Sequence, residues 1–442
     1  MAEALRTDLY ELNMAASYLR RDMSDVATFS LYVRTMPKNR GFLVAAGLDD
    51  CLDYLEHLSF EEEDLAYLRE IGFEQRDLDA FRELRFTGDV WAVPEGRLVL
   101  AGEPLLEVSA PMPEAQLAET ALLNAITLHT TVASKAARSV IAADGRALVD
   151  FSLRRDQGVD ASIAVARECA IVGFAATSNV DAARRLGLRA SGTMAHSYVE
   201  SFPTEKEAFR AFAEDHPGNV TFLVDTYDTL RGARAAIEVI REMGLEPPLA
   251  IRLDSGDLLE LSRAARELLD AAELRAVRIF ASGGLDEFSI SGLLSAGAPI
   301  DAFGVGTLVG VSADAPYVDS VYKLVEYAGR PVSKLSAAKA TSPGAKQVFR
   351  GPDGDVIALR DESVPSAAEP LLHRVMAGGG RTDPQESLED KRARFQHDLA
   401  ELPPAALRIE DPEPPEVRSS DALRELHATI EAKMLARQSS TV

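Results

Sequence analysis

The chain has 442 residues, 46% of them apolar, and 47 Lys+Arg against 70 Asp+Glu give a formal charge of −23. That apolar content supports a real core and excludes global disorder, and the length fits two or three domains or one large α/β barrel with additions. The negative charge argues against general nucleic-acid binding, which needs a basic surface, and no run of about 18 uninterrupted apolar residues offers a membrane span.

The chain opens with MAEALRTDLYEL, which has no basic segment ahead of an apolar block, so no secretory leader is expected. Leu9, Leu12 and Ala16 sit near helical spacing and predict a helix over Asp8 to Arg20. Further helices are expected near Leu48 to Leu58 and Glu61 to Glu70. Short β-like runs between Phe86 and Val108 are broken by Pro94, Gly96, Gly102 and Pro104. Gln116 to Arg138 is almost uncharged and reads as a buried helix, with His129 packed inside it. Cys51 and Cys169 give neither a disulfide framework nor zinc spacing, so a cytoplasmic setting is expected.

The middle of the chain alternates short apolar runs with helix-like stretches. The runs end near Phe151, His196, Asp225, Asp254, Ser282 and Gly306, and one more strand fits near Ala175 to Asn179. Six or seven such units favour a closed parallel barrel over an open sheet. Beyond Tyr327 the pattern changes. Gln347 to Leu359 predicts a hairpin turning at Pro352-Asp353-Gly354, and a helix is expected from Ser420 to Leu435.

In parallel βα units, residues at the carboxyl ends of the strands face the site, and here those ends are unusually polar. Ser282-Gly283-Gly284 and Gly304-Val305-Gly306-Thr307 let backbone N–H groups approach an anion, and Thr307 adds a hydroxyl. Strand alternation places Arg252 and Asp254 on one face, a pair suited to an anionic ring substituent and a ribose diol; an internal salt bridge is the competing reading. Asp257 fits a helix cap. His196, beside Thr193 and Ser197, is a candidate base or phosphoryl acceptor. Arg154 and Arg155 suit a diphosphate. Asp225 fits either a metal-bridged phosphate or the cap of a helix starting near Thr229. Together these residues describe a pocket for a phosphorylated sugar with a second anion held by arginine.

Seven motifs in order carry a family resemblance: T-D-L-Y-E-L-N-M (Thr7 to Met14), F-S-L-R-R-D-Q-G (Phe151 to Gly158), T-S-N (Thr177 to Asn179), G-T-M-A-H-S (Gly192 to Ser197), R-L-D-S-G-D (Arg252 to Asp257), G-V-G-T (Gly304 to Thr307) and Y-K-L-V (Tyr322 to Val325). The chain thereby resembles nicotinate phosphoribosyltransferase over nearly its whole length. Two loops depart from the family pattern, at Val159-Asp160-Ala161 and at Tyr317 to Val321.

The resemblance implies ATP-coupled, Mg²⁺-dependent joining of nicotinate to 5-phosphoribosyl 1-diphosphate, giving nicotinate mononucleotide and diphosphate in NAD biosynthesis. It implies phosphorylation of His196, nicotinate binding at Tyr10, Thr193 and Arg252, phosphoribosyl binding at Thr307, and a homodimer with shared active sites. Phe151 and Ser255 join the substrate-binding candidates, and no metal ligands are assigned. The expected fold is an irregular parallel α/β barrel with an N-terminal α/β domain that also takes in part of the C-terminal chain. The expected divisions are 1–120, completed by about 328–365, then a barrel over 121–327 and a helical extension over 366–442. Nicotinamide and quinolinate phosphoribosyltransferases, and a silent barrel that only binds a phosphorylated metabolite, are the competing readings.

Overall fold

The structure, a computed structural model, describes residues 4–218, 220–334 and 341–439. The chain divides into two compact units. One takes the residues up to Thr131, Tyr317–Ala406 and Pro412 onward, and the other takes Val132–Pro316 with Leu407–Asp411.

The first unit is built on a seven-stranded antiparallel sheet in the order Arg330–Pro331, Ser320–Tyr327, Val26–Val33, Pro104–Pro111, Asp89–Ala92, His373–Ala377 and Gly380–Arg381. Tyr322 is fully buried and stacks on Phe29 with ring centroids 4.7 Å apart, pinning the register that sets Leu31 opposite it. His129 is packed inside its helix, its Nε2 lying 3.0 Å from Asp50 Oδ2.

Two expected boundaries shift. Ser320–Tyr327 falls within the expected barrel division but pairs with Val26–Val33 of the antiparallel sheet. The stretch 366–442 is more than a helical extension: His373–Ala377 joins the large sheet, and Glu369–Pro370 and Val417–Ser419 flank the hairpin of Lys346–Gly351 and Gly354–Leu359. Short strands with partners hundreds of positions away leave no local periodicity to read. Residues 335–340 and 440–442, which fall inside the expected divisions 328–365 and 366–442, lie outside the described residues.

The second unit carries the βα repeat. Six parallel strands lie in the order Ala176–Thr177, Ala147–Asp150, Ala302–Val305, Arg278–Ala281, Leu249–Leu253 and Val220–Leu223. Phe222, Leu223, Ile251, Leu253, Ile279, Ala281 and Phe303 are fully buried, as strands covered on both faces require. The sheet does not close. Among the described residues its edges, Ala176–Thr177 and Val220–Leu223, have no pairing to each other, so the parallel sheet is open where the repeat predicts a closed barrel. The expected strand ending at His196 is absent: the segment makes one isolated bridge, Thr177 with Ala190, before the short helix His196–Glu200. Helix starts are set locally. The side chains of Asn179, Asp228, Asp257 and Asp286 each accept from a backbone N–H in the first turn of the following helix. Asp228, rather than Asp225, is thus the cap of the helix at Thr229.

Candidate active site

Because the six strands are parallel, their carboxyl ends share one rim, and the polar residues of six loops meet there. A cavity of about 280 Å³ at this rim is lined by Phe151, Arg154, Arg155, Arg252, Asp254, Ser282, Gly283, Gly284, Gly304, Gly306 and Thr307. The lining spans positions 151 to 307, so the fold alone brings these side chains together.

Arg252 is the hub. Alternation along Leu249–Leu253 buries Leu249, Ile251 and Leu253 and turns Arg252 to the other face. Its Nε donates to Ser282 Oγ at 2.8 Å, Nη1 to Thr193 Oγ1 at 3.0 Å and Nη2 to Asp254 Oδ1 at 2.6 Å. The guanidinium carbon lies 5.4 Å from the centroid of the Phe151 ring. That ring in turn packs 5.7 Å from Phe280. A Cβ at Gly304 would come within 2.7 Å of the Phe151 ring, so only glycine there lets the ring lie against the strand end.

Ser282 is 2% exposed, and its hydroxyl is spent inside the protein: it accepts from Arg252 and donates to Asp254 Oδ1 at 2.5 Å. Burial alone would raise the Asp254 carboxyl, but the Ser282 hydrogen bond, Arg252 and His196 together hold it below the usual carboxylate range. Asp254 is therefore an anion at neutral pH, facing the cavity.

His196 lies beside this pair, Nε2 at 3.8 Å from Asp254 Oδ2 and Nδ1 at 3.2 Å from Thr226 Oγ1. Asp225 Oδ2 accepts from Asp254 N at 2.9 Å and from Ser255 Oγ at 2.7 Å, so it braces the Asp254 loop. Ser255, a candidate for substrate contact, is absent from the lining and gives its hydroxyl to Asp225. Thr226 and the bracing role of Asp225 are not apparent from the sequence; the available signal is a hydroxyl one position after a strand-end aspartate. Tyr10 belongs to the other unit, on the helix Leu9–Leu19, where its side chain is largely exposed.

Arg154 and Arg155 are exposed cations with no carboxylate partner among the described residues, in a protein of net charge −23. Unpaired guanidiniums beside glycine loops make a site for phosphate or diphosphate oxygens. No group of three or more His, Cys, Asp or Glu side chains among the described residues is arranged to hold a metal ion. No described helix is long and apolar enough to cross a membrane.

A family model described as the nicotinate phosphoribosyltransferase (NAPRTase) family matches residues 146–351, and models of that enzyme's N-terminal and C-terminal domains match 5–127 and 358–427. The chain is 47% identical over 416 residues to nicotinate phosphoribosyltransferase pncB2 of Mycobacterium tuberculosis, covering 92% of this chain and 89% of that protein. It is 43% identical over 378 residues to the nicotinate phosphoribosyltransferase of Bacillus subtilis, covering 82% and 77% of the two chains. Among solved structures, human nicotinic acid phosphoribosyltransferase superposes with a TM-score of 0.85 at 30% identity, covering 96% of this chain and 99% of that one. Three family models in order along the chain, with a relative 47% identical over 92% of it, establish that the chain belongs to the nicotinate phosphoribosyltransferase family.

Proposed function

We propose that the protein transfers the phosphoribosyl group of 5-phosphoribosyl 1-diphosphate to nicotinate, giving nicotinate mononucleotide and diphosphate in NAD biosynthesis, with ATP and Mg²⁺. The observation that carries the reading is the meeting of Arg252, two unpaired arginines and two glycine loops on one cavity. The nicotinate ring nitrogen donates its lone pair to the anomeric carbon while the carbon–oxygen bond electrons leave with diphosphate. The transition state spreads positive charge over the ribose, so the protein's work is to place two anions and neutralise the leaving group.

In this reading Arg252 takes the nicotinate carboxylate, and Phe151 holds the ring. The ionised Asp254 accepts from the ribose hydroxyls and stabilises the developing positive charge. Gly283, Gly284, Gly304, Gly306 and Thr307 take the 5′-phosphate, and Arg154 and Arg155 take the diphosphate. Mg²⁺, when bound, would supply neutralisation of the diphosphate charge. The described residues offer no cage of three or more protein ligands, and Asp254 is the carboxylate in the lining that would help hold such an ion. His196 accepts a phosphoryl group from ATP with release of ADP, and hydrolysis of that bond couples ATP to transfer.

A homodimer completes the site through Tyr10 of a neighbouring subunit, supported by exposed apolar side chains at Leu9 and Tyr10 in one unit and at Val159, Val180 and Tyr227 in the other. Two buried free cysteines fit a reducing cytoplasm. The test is product formation from nicotinate, nicotinamide and quinolinate in parallel, each with and without ATP. Turnover of nicotinate stimulated by ATP supports the reading; turnover confined to another pyridine, or none, refutes it.

A further inference from the structure

The carboxylate of Asp156 sits one residue beyond Arg155, yet it pairs with neither arginine. Its Oδ2 accepts from Ser152 Oγ at 2.8 Å, and its Oδ1 is buried with no hydrogen-bond partner among the described residues. What lies against Oδ1 is Gly310, where an added Cβ would fall 2.0 Å from that oxygen and 2.8 Å from Ser152 Cβ. Gly310 closes the turn that starts at Gly306 and carries Thr307, its N–H donating to Gly306 O at 3.0 Å. Asp156 thus spans two loops of the cavity, the one bearing Arg154 and Arg155 and the one bearing Thr307.

The base of the first loop is fixed. Asp150, buried at the strand end, accepts from Ser152 N at 2.9 Å and from Thr177 Oγ1 at 2.7 Å, and Phe151 N donates to Val305 O at 2.7 Å. Arg155 N donates to Ser152 O at 2.7 Å. Beyond that short turn, the side-chain hydrogen bond that ties the arginine loop back to its base among the described residues is Ser152 Oγ to Asp156 Oδ2.

We propose that Asp156 is a positioning residue that docks the arginine loop against the Thr307 turn and so sets where Arg154 and Arg155 meet the diphosphate, an inference that rests on the phosphoribosyl-transfer reading. Burial pushes the Asp156 carboxyl up to about 6, against the lowering hydrogen bond from Ser152 and with a smaller rise from Asp150. The buried Cys169 thiol feels the charges of Asp150, Asp156 and Glu168, and Arg154 and Arg155 lie on the same loop as Asp156. An ionised carboxylate two steps from a free guanidinium would ordinarily pair with it. Here packing under Gly310 keeps it away and leaves both cations for the substrate.

The test uses the full-length protein with inorganic diphosphate as the probe, titrated by calorimetry, alongside KM for each substrate and thermal unfolding. Asp156→Ala is expected to weaken diphosphate binding about tenfold and to raise KM for the activated sugar by a like factor, with KM for nicotinate within about twofold. Asp156→Asn, which keeps an acceptor for Ser152 and fills the same space, restores both to within about twofold of wild type. Ser152→Ala shifts the same two quantities by about threefold and carries the test if Asp156→Ala does not fold. Unchanged diphosphate binding in Asp156→Ala, equal loss in Asp156→Asn, or equal rises in both KM values overturns the proposal. So does a wild type that does not bind diphosphate. Wild-type turnover separates the two claims: the diphosphate pattern without nicotinate turnover refutes the reaction alone, whereas turnover without the pattern refutes the role of Asp156.

Discussion

Arg252 and Asp254, two positions apart at the end of one strand, are paired at 2.6 Å, and the buried Ser282 hydroxyl bonds to both. The fork of Arg252 is therefore held rigid by Ser282, Thr193 and Asp254 before any substrate arrives. Pre-set donors lose little entropy on binding, so this triad is expected to serve affinity for a carboxylate.

Arg252→Lys keeps the charge but loses the fork. It is expected to raise KM for nicotinate about a hundredfold, on the order of 2–3 kcal/mol, with a smaller effect on KM for the activated sugar. Ser282→Ala strands the Arg252 Nε–H and removes one of the two donors to Asp254 Oδ1, and should cost about tenfold in kcat/KM. Steady-state kinetics with each substrate varied in turn check both.

Gly283 and Gly284 are adjacent, with positive φ of +94° and +70°, but their surroundings differ. A Cβ at Gly283 would lie 1.8 Å from the carbonyl oxygen of Asp254, while one at Gly284 meets nothing within 4 Å. Gly284→Ala is expected to cost about 1–2 kcal/mol from backbone strain alone. Gly283→Ala should cost more than about 3 kcal/mol and displace the Asp254 loop, so activity falls with stability. Thermal unfolding of the two variants makes the comparison.

Arg154 and Arg155 contribute no ion pair to the described fold, so removing either charge should leave Tm within about 1 °C of wild type. Each alanine variant is expected to raise KM for the activated sugar about tenfold and to weaken the dependence of that KM on salt. A large drop in Tm without a change in KM would reassign these residues to structure.

In the antiparallel unit Glu103 is fully buried and its Oε2 accepts from Leu100 N at 2.8 Å. Its Oε1 has no donor in the described structure, and the neighbouring Asp355 accepts from Arg350 Nη2 at 2.6 Å. Burial, with Asp355 adding, pushes the Glu103 carboxyl well above its ordinary value, so the native state keeps a proton that the unfolded chain has released. This stability is fully present below the ordinary glutamate range and is lost as pH rises through the raised native value. Glu103→Gln removes that titration, so its Tm should fall less than that of wild type between pH 6 and pH 9, as unfolding curves across that range would show.

Much of the cavity is legible from residue spacing. Arg252 and Asp254 follow from strand alternation, the glycine loops from their place after short apolar runs, and the cap at Asp257 from its position ahead of a helical stretch. The rest is decided by partners that no local pattern announces. Gly192 to Ser197 looks like a strand end, yet it makes a loop that runs into the short helix His196–Glu200, because the stretch before it finds only one bridging partner. Ser320–Tyr327 leaves the parallel sheet because its ladder runs to Val26–Val33, about two-thirds of the chain length away. The open edge at Ala176–Thr177 rests on a strand of two residues, too short to carry a period. Asp156 and Thr226 act through contacts with Ser152, Gly310 and His196 that exist only once the strands are side by side.

The most direct measurement is a structure of the protein in complex with nicotinate mononucleotide and diphosphate. The account predicts the ring carboxylate on Arg252, the ribose diol on Asp254, the 5′-phosphate on Gly283, Gly284 and Gly306, and the diphosphate against Arg154 and Arg155. A nucleotide bound away from this cavity, or one whose carboxylate is turned from Arg252, would contradict it.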